Sequence, residues 1–170
     1  PDEALESGFA GASLGLECSG IVRAVGTAVD SVHPGDAVMA FGSACLSSQV
    51  ITKDYAVLPK PKQLSFAQAA ALPVVFFTAY YAICVKAQAE RGESILIHGA
   101  AGGVGLAAVQ IAKALGLKVY ATAGSPVKRA LLTAQGADAV FNSRSLDFAD
   151  ALRATTQGQG VDIVLNSLYD

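Results

Sequence analysis

The stretch Ser94–Gly116, SILIHGAAGGVGLAAVQIAKALG, decides the fold. Ile95, Leu96 and Ile97 run through His98 into a cluster of small residues, Gly99-Ala100-Ala101-Gly102-Gly103-Val104-Gly105. Beyond it, Val104, Ala107, Ala108, Ile111, Ala112 and Leu115 recur at the spacing of one helical face. Gly116 stands where a left-handed residue closes such a helix. A strand, a glycine turn and a helix opening on glycine give meaning to the spacing A-x-G-x-x-G, here Ala100, Gly102 and Gly105. The start of a helix presents unpaired backbone N–H groups and the positive end of its dipole, a ready site for a pyrophosphate. Side chains there would hold the phosphates off, so residues with no Cβ or a single methyl are used. Ala100, Ala101, Gly102, Gly103, Val104 and Gly105 are therefore the first candidates for dinucleotide binding. The plain alternative is a tight turn with no ligand.

Downstream the pattern alternates regularly. Lys118–Thr122 reads as a second strand, and Ser125-Pro126 as an N-cap with proline at the first helical position. Val127, Ala130, Leu131 and Ala134 share a helical face closed by Gly136, and Ala139–Phe141 is a third strand. Ser145 is expected to cap a helix reaching about Thr155, and Val161–Leu165 follows as a fourth strand. This series predicts a parallel sheet ordered 3-2-1-4. A complete fold of this type carries about six strands, so the chain reads as a piece spanning about half of one catalytic unit.

Upstream, Ser65–Leu72 predicts a short helix capped by Ser65, and Pro73 breaks it and begins another running to about Ala89. The apolar run Ala69–Val85 is shorter than the roughly 20 residues of a membrane span. It also contains Pro73, Thr78, Tyr80 and Tyr81, and reads as a buried helix. Before it, Leu16–Gly26, Ala37–Phe41 and Gln49–Leu58 predict strands, with turn chemistry at His33-Pro34-Gly35-Asp36. Residues 1–12 lack any period and read as a loop.

Hydrophobic residues make up 52% of the chain and charged ones 15%, which fits strands buried on both faces. The net charge of −2 and the lack of like-charge runs point away from nucleic acid and anionic membranes. Three scattered cysteines, Cys18, Cys45 and Cys84, read as reduced, semi-buried thiols of a cytoplasmic protein.

Gly15-Leu16-Glu17-Cys18-Ser19-Gly20, Val25-Gly26 and Gly35-Asp36-Ala37-Val38 resemble the GroES-like catalytic domain of medium-chain dehydrogenase/reductases. The fold class expected is α/β, a partial Rossmann-type parallel sheet preceded by part of a GroES-like β domain. Its divisions are residues 1–64, connecting helices at 65–92, and the nucleotide-binding part at 93–170. Many zinc-dependent members open with Gly-His-Glu, the His a metal ligand. Leu16 stands in that place and cannot ligate, and neither His33 nor His98 has partners at metal-ligand spacing. No metal is expected. The string Ala70–Ala82 is similar to the helix joining the two domains in this superfamily, which implies that Val75 and Thr78 touch the nicotinamide; plain core packing is the alternative.

NAD sites place an acid at the end of the second strand, and here Tyr120–Ser125 has none. Ser125, Lys128 and Arg129 follow instead, and two cations in a first helical turn oppose the dipole. A 2′-phosphate would offset that cost, so NADPH is the cofactor expected; two solvated side chains are the alternative.

A narrower resemblance is to enoyl reductase domains of type I polyketide and animal-type fatty acid synthases. Its carriers are Gly15–Gly20, Leu72–Tyr81, the glycine turn, Gly124-Ser125 with Lys128-Arg129, Asn142-Ser143-Arg144, and Gly160–Leu168. It implies metal-free hydride delivery to the β-carbon of an enoyl thioester on an acyl carrier protein, with flanking synthase domains and a homodimer when complete. It also places Asn166 among the cofactor contacts. No catalytic acid or base is carried over, since nothing aligns Tyr55, Tyr80 or Tyr81 with that role. A free-standing quinone or enal reductase and a non-catalytic nucleotide-binding module remain as alternatives.

Overall fold

The structure, a computed structural model, describes residues 14–166. The expected loop at 1–12 and the positions Ser167 and Leu168 lie outside the described residues. The chain divides into two compact units between Val74 and Val75, inside the segment expected to connect two domains.

In the first unit, β1 (Glu17–Ile21), β2 (Ala37–Phe41) and β3 (Val57–Pro59) form an antiparallel sheet in that order. Glu17 pairs with Phe41 and Ile21 with Ala37, while Val38 faces Pro59. The expected turn between β1 and β2 is present. Gly35 takes φ +99°, and the Asp36 carboxylate accepts from the His33 N–H at 2.7 Å. The first strand ends at Ile21 rather than Gly26, although Val22 still donates to the Asp36 carbonyl at 2.9 Å. The strand expected over Gln49–Leu58 is reduced to β3, because Asp54–Ala56 coils into a 3-10 turn and Ile51 is 98% exposed. With no apolar surface over Ile51, its β propensity has nothing to pack against.

The short helix α1 (Phe66–Ala69) starts as expected at Ser65, whose hydroxyl accepts from the Gln68 N–H. The Gln68 side chain accepts from the Ser65 N–H at 2.9 Å, completing a capping box. Helix α2 (Pro73–Tyr80) begins on the proline and continues as a π-helical segment, Tyr81–Lys86, closed by an Ala87 N–H to Ala82 carbonyl bond of 2.9 Å. It stops short of the expected Ala89. It is also less buried than expected. Ala79 and Ile83 are enclosed, but Phe77, Tyr80, Tyr81 and Val85 are exposed. Phe66–Lys86 is long and apolar enough to cross a membrane by length and composition alone.

The second unit holds β4 (Ser94–Ile97), β5 (Lys118–Ala123), β6 (Ala139–Asn142) and β7 (Ile163–Leu165), all parallel in the order β6-β5-β4-β7. That is the expected 3-2-1-4. Helices α3 (Gly103–Leu115), α4 (Pro126–Ala134) and α5 (Asp147–Thr155) make the crossovers. Helix α3 buries Gly105 and Val109 besides the expected Ala107, Ala108 and Ala112. Its burial is wider than one stripe because it packs against the sheet and against the π-helical segment. Ile95, Ile97, Val119 and Ala121 are fully enclosed in the same core. Gly116 ends α3 at φ +79° as expected. Ser145, by contrast, does not cap α5. Leu146 holds the cap position in right-handed helical geometry, and the Ser145 hydroxyl donates instead to the Asp147 carboxylate at 2.9 Å.

Candidate functional site

The glycine turn joins β4 to α3 at the carboxyl end of the parallel sheet, where ligands of such folds bind. Backbone bonds fix its path. The His98 N–H donates to the Leu165 carbonyl at 3.0 Å and the Ala100 N–H to the Thr122 carbonyl at 3.0 Å, so both flanking strands hold the turn. Gly99 takes φ +59°, and the Gly102 N–H closes the turn on the Gly99 carbonyl at 2.9 Å. His98 lies beneath, with Nδ1 3.2 Å from the buried Thr122 hydroxyl and its ring edge-on to Phe148. Burial lowers its pKa from 6.5, which favours the neutral ring at neutral pH.

The small residues divide into two groups. Ala100 is fully enclosed, and a Cβ on Gly105 would lie 2.5 Å from the Ala100 Cα. These two let the helix close on the strand. Gly102 and Gly103 are exposed, and Ala101 and Val104 half-buried, forming the outer ridge. A Cβ on Gly102 would meet nothing nearer than the Gly99 carbonyl oxygen at 3.4 Å, so the space above it is open. A Cβ on Gly103 would press on the Val75 side chain at 3.0 Å, which brings Val75 to the ridge.

The start of α3 carries no side-chain cap and no acid in its first turn, whereas α1 and α4 are capped by serines. Its first-turn N–H groups and dipole are therefore uncompensated beside a glycine surface that a pyrophosphate could approach. No Asp or Glu occurs between Glu93 and Asp138. The residues present fit an adenine dinucleotide.

At the end of β5 the Ser125 hydroxyl accepts from the Lys128 N–H at 3.3 Å, capping α4 as expected, and the Lys128 side chain is exposed. Arg129 is less free than its sequence position suggests. Its Nη1 donates to the Ala123 carbonyl at 3.2 Å, an oxygen that also accepts from the Ser143 N–H at 3.3 Å. Arg144 is not among the residues the sequence singles out for binding, yet its guanidinium lies directly over Gly124. No spacing rule could have found it, because parallel pairing of Ala123 with Asn142 brings the two together.

Thr78 and Asn166 lie on the β7 side of the glycine turn. Thr78 lines a groove of about 550 Å³ with Phe77, Tyr81, Ile163, Val164 and Leu165, along β7, which ends the sheet order. Asn166 is exposed immediately after β7. Among the described residues, no group of three or more His, Cys, Asp or Glu is placed to hold a metal. The cysteines, scattered in sequence, are not all separate in the fold. Burial first, then the neighbouring Cys18 thiol and Glu17, push Cys45 up to about 11.

A family model described as zinc-binding dehydrogenase matches residues 103–169. A highly reducing polyketide synthase of Didymella fabae is 50% identical over 157 residues, covering 91% of this chain and 8% of that protein. A phenolphthiocerol/phthiocerol polyketide synthase of Mycobacterium tuberculosis is 45% identical over 155 residues, covering 91% of this chain and 7% of that protein. The chain thus spans less than a tenth of these relatives' length. Among solved structures, the CurK enoyl reductase superposes with a TM-score of 0.89 at 44% identity, covering 99% of this chain and 52% of that one.

Proposed function

Because the chain belongs to the medium-chain dehydrogenase/reductase superfamily, as part of an enoyl-reductase-type domain, we propose that it holds the cofactor of an NADPH-dependent, zinc-independent enoyl reductase acting in polyketide or fatty acid synthesis. The observation that carries the reading is an uncapped helix start beside a β5 end that bears cations and no acid.

The nicotinamide, when bound, supplies a hydride to the β-carbon of an enoyl thioester whose conjugated carbonyl takes up the charge. The chain's own residues bind and orient. The first-turn N–H groups of α3, at Gly103, Val104 and Gly105, donate to the pyrophosphate, and Gly102 leaves room for it. Val75, packed on Gly103, and Thr78, one helical turn further on, would contact the nicotinamide. Lys128 and Arg129 supply positive charge for the 2′-phosphate, and Ser125 and Asn166 contact the cofactor. Independence from zinc rests on Leu16, which offers no lone pair where zinc-dependent relatives carry His. The substrate is carried on an acyl carrier protein, and the working unit is a cytoplasmic homodimer with flanking synthase domains.

The test is NADPH consumption by the full-length protein with a crotonyl thioester or a quinone as acceptor. Turnover restricted to the thioester supports the reading. Turnover restricted to the quinone moves the chain to the free-standing reductases, and nucleotide binding without turnover of either marks a non-catalytic module.

A further inference from the structure

Thr122 is fully enclosed near the end of β5, between the buried and apolar Ala121 and Ala123. Valine has the same shape and a strong strand preference, so packing alone does not ask for a hydroxyl here. That hydroxyl has two partners among the described residues. The Gly99 N–H donates to Oγ1 at 3.4 Å, and His98 Nδ1 lies 3.2 Å from it. The Thr122 backbone carbonyl accepts from the Ala100 N–H at 3.0 Å. Thr122 thus holds two consecutive residues at the entry of the glycine turn.

These partners fix where the protons sit. A backbone N–H can only donate, so Gly99 takes a lone pair of Oγ1. The hydroxyl proton then needs an acceptor, and among the described residues His98 Nδ1 is the one within reach. Leaving that proton unplaced in an enclosed site is costly. His98 therefore presents a bare Nδ1 and carries its proton on Nε2. The opposite tautomer would aim a second N–H at Oγ1 and strand the hydroxyl proton. Burial, which disfavours the charged ring, agrees with the neutral form. Gly99 in turn sits at φ +59°, and its carbonyl accepts from the Gly102 N–H at 2.9 Å. Whatever fixes the Gly99 peptide also fixes Gly102 and the ridge.

We propose that His98 and Thr122 are positioning residues for cofactor binding. The Thr122 hydroxyl donates to His98 Nδ1 and accepts from the Gly99 N–H, and this directed relay preorganises the turn that receives the pyrophosphate. This rests on the dinucleotide reading above. It deepens that reading by giving His98 a role and by accounting for threonine where valine would pack.

The test uses the full chain. The sequence has only two histidines, His33 and His98, so nitrogen NMR of isotopically labelled histidine reads the His98 tautomer directly, with His98→Asn identifying its signals. A protonated Nε2 and a bare Nδ1 are expected, and a protonated Nδ1 overturns the proposal. NADPH binding by nicotinamide fluorescence, set beside thermal melting, then separates positioning from packing. Thr122→Ser keeps the hydroxyl and loses a methyl, so it melts lower yet binds NADPH within about twofold of the unaltered protein. Thr122→Val keeps the shape and loses the relay, so it weakens NADPH about fivefold or more, the worth of one hydrogen bond. His98→Asn, whose side-chain oxygen replaces Nδ1 as acceptor, binds more tightly than His98→Leu, which has none. Affinity that merely follows melting temperature across these variants reduces the pair to core packing and overturns the proposal. If the unaltered protein binds neither NADPH nor NADH, the dinucleotide reading falls and takes this proposal with it. Binding that Thr122→Val leaves intact refutes the proposal alone.

Discussion

Adding a methyl at Gly105 or at Gly102 separates the two duties of the turn. At Gly105 the new Cβ lies 2.5 Å from the Ala100 Cα and 2.6 Å from its carbonyl carbon and oxygen. Carbon atoms pack at roughly 3.5–4.0 Å, so the overlap is about 1 Å against backbone that cannot rotate away. Ala100 is fully enclosed and bonded to Thr122, so relief must open the strand-to-helix junction. Overpacking of this kind costs about 3 kcal/mol or more, offset by about 1 kcal/mol of helix propensity gained by replacing glycine. At Gly102, φ −86° and ψ 175° suit any residue, and the nearest atom is 3.4 Å away. Alanine at that cap position costs about 1 kcal/mol or less, but its methyl stands on the open ridge. Urea unfolding and NADPH fluorescence titration of both variants give opposite patterns. Gly105→Ala unfolds at a markedly lower midpoint, whereas Gly102→Ala stays folded and loses NADPH. A wild-type midpoint for Gly105→Ala refutes the packing argument, and wild-type binding by Gly102→Ala removes the pyrophosphate from the ridge.

Other outcomes follow from single contacts. Ser125→Ala removes the side-chain cap of α4 and lowers stability by about 1 kcal/mol in chemical denaturation, while Ser125→Asp restores it. Burial alone would raise Asp138, but the Val119 N–H at 2.7 Å and the Lys113 ammonium at 3.1 Å hold it below its ordinary 3.8. Its stabilising effect is therefore complete above pH 3.8 and lost as the pH falls through the lower folded-state value. Asp138→Asn flattens that part of the pH–stability curve, and an unchanged acid limb contradicts the assignment. Cys45, raised to about 11, alkylates far more slowly at pH 8 in the folded protein than after denaturation. Mass spectrometry of the labelled peptide would show equal rates if burial did not govern it.

Local chemistry was legible in the residues and long-range juxtaposition was not. The glycine turn, the Gly116 cap and the Ser125-Pro126 start each depend on a few neighbouring residues, and the 3-2-1-4 order follows from right-handed crossovers. Gln49–Leu58 misled because β-branched residues read as a strand wherever they occur, yet Ile51 faces solvent. Ser145 misled because its hydroxyl found the Asp147 side chain instead of a backbone N–H. Lys128 and Arg129 could be picked out by charge, but not that one Arg129 nitrogen donates to the Ala123 carbonyl. Arg144 reaches Gly124, and Cys18 reaches Cys45, only through strand pairing and chain reversal.

The most direct measurement is the fate of deuterium carried at the transferable position of NADPH when the full-length protein acts on a crotonyl thioester. Deuterium is expected on the β-carbon of the saturated thioester. Its absence from that carbon, with the thioester unreacted or labelled elsewhere, would contradict enoyl reduction.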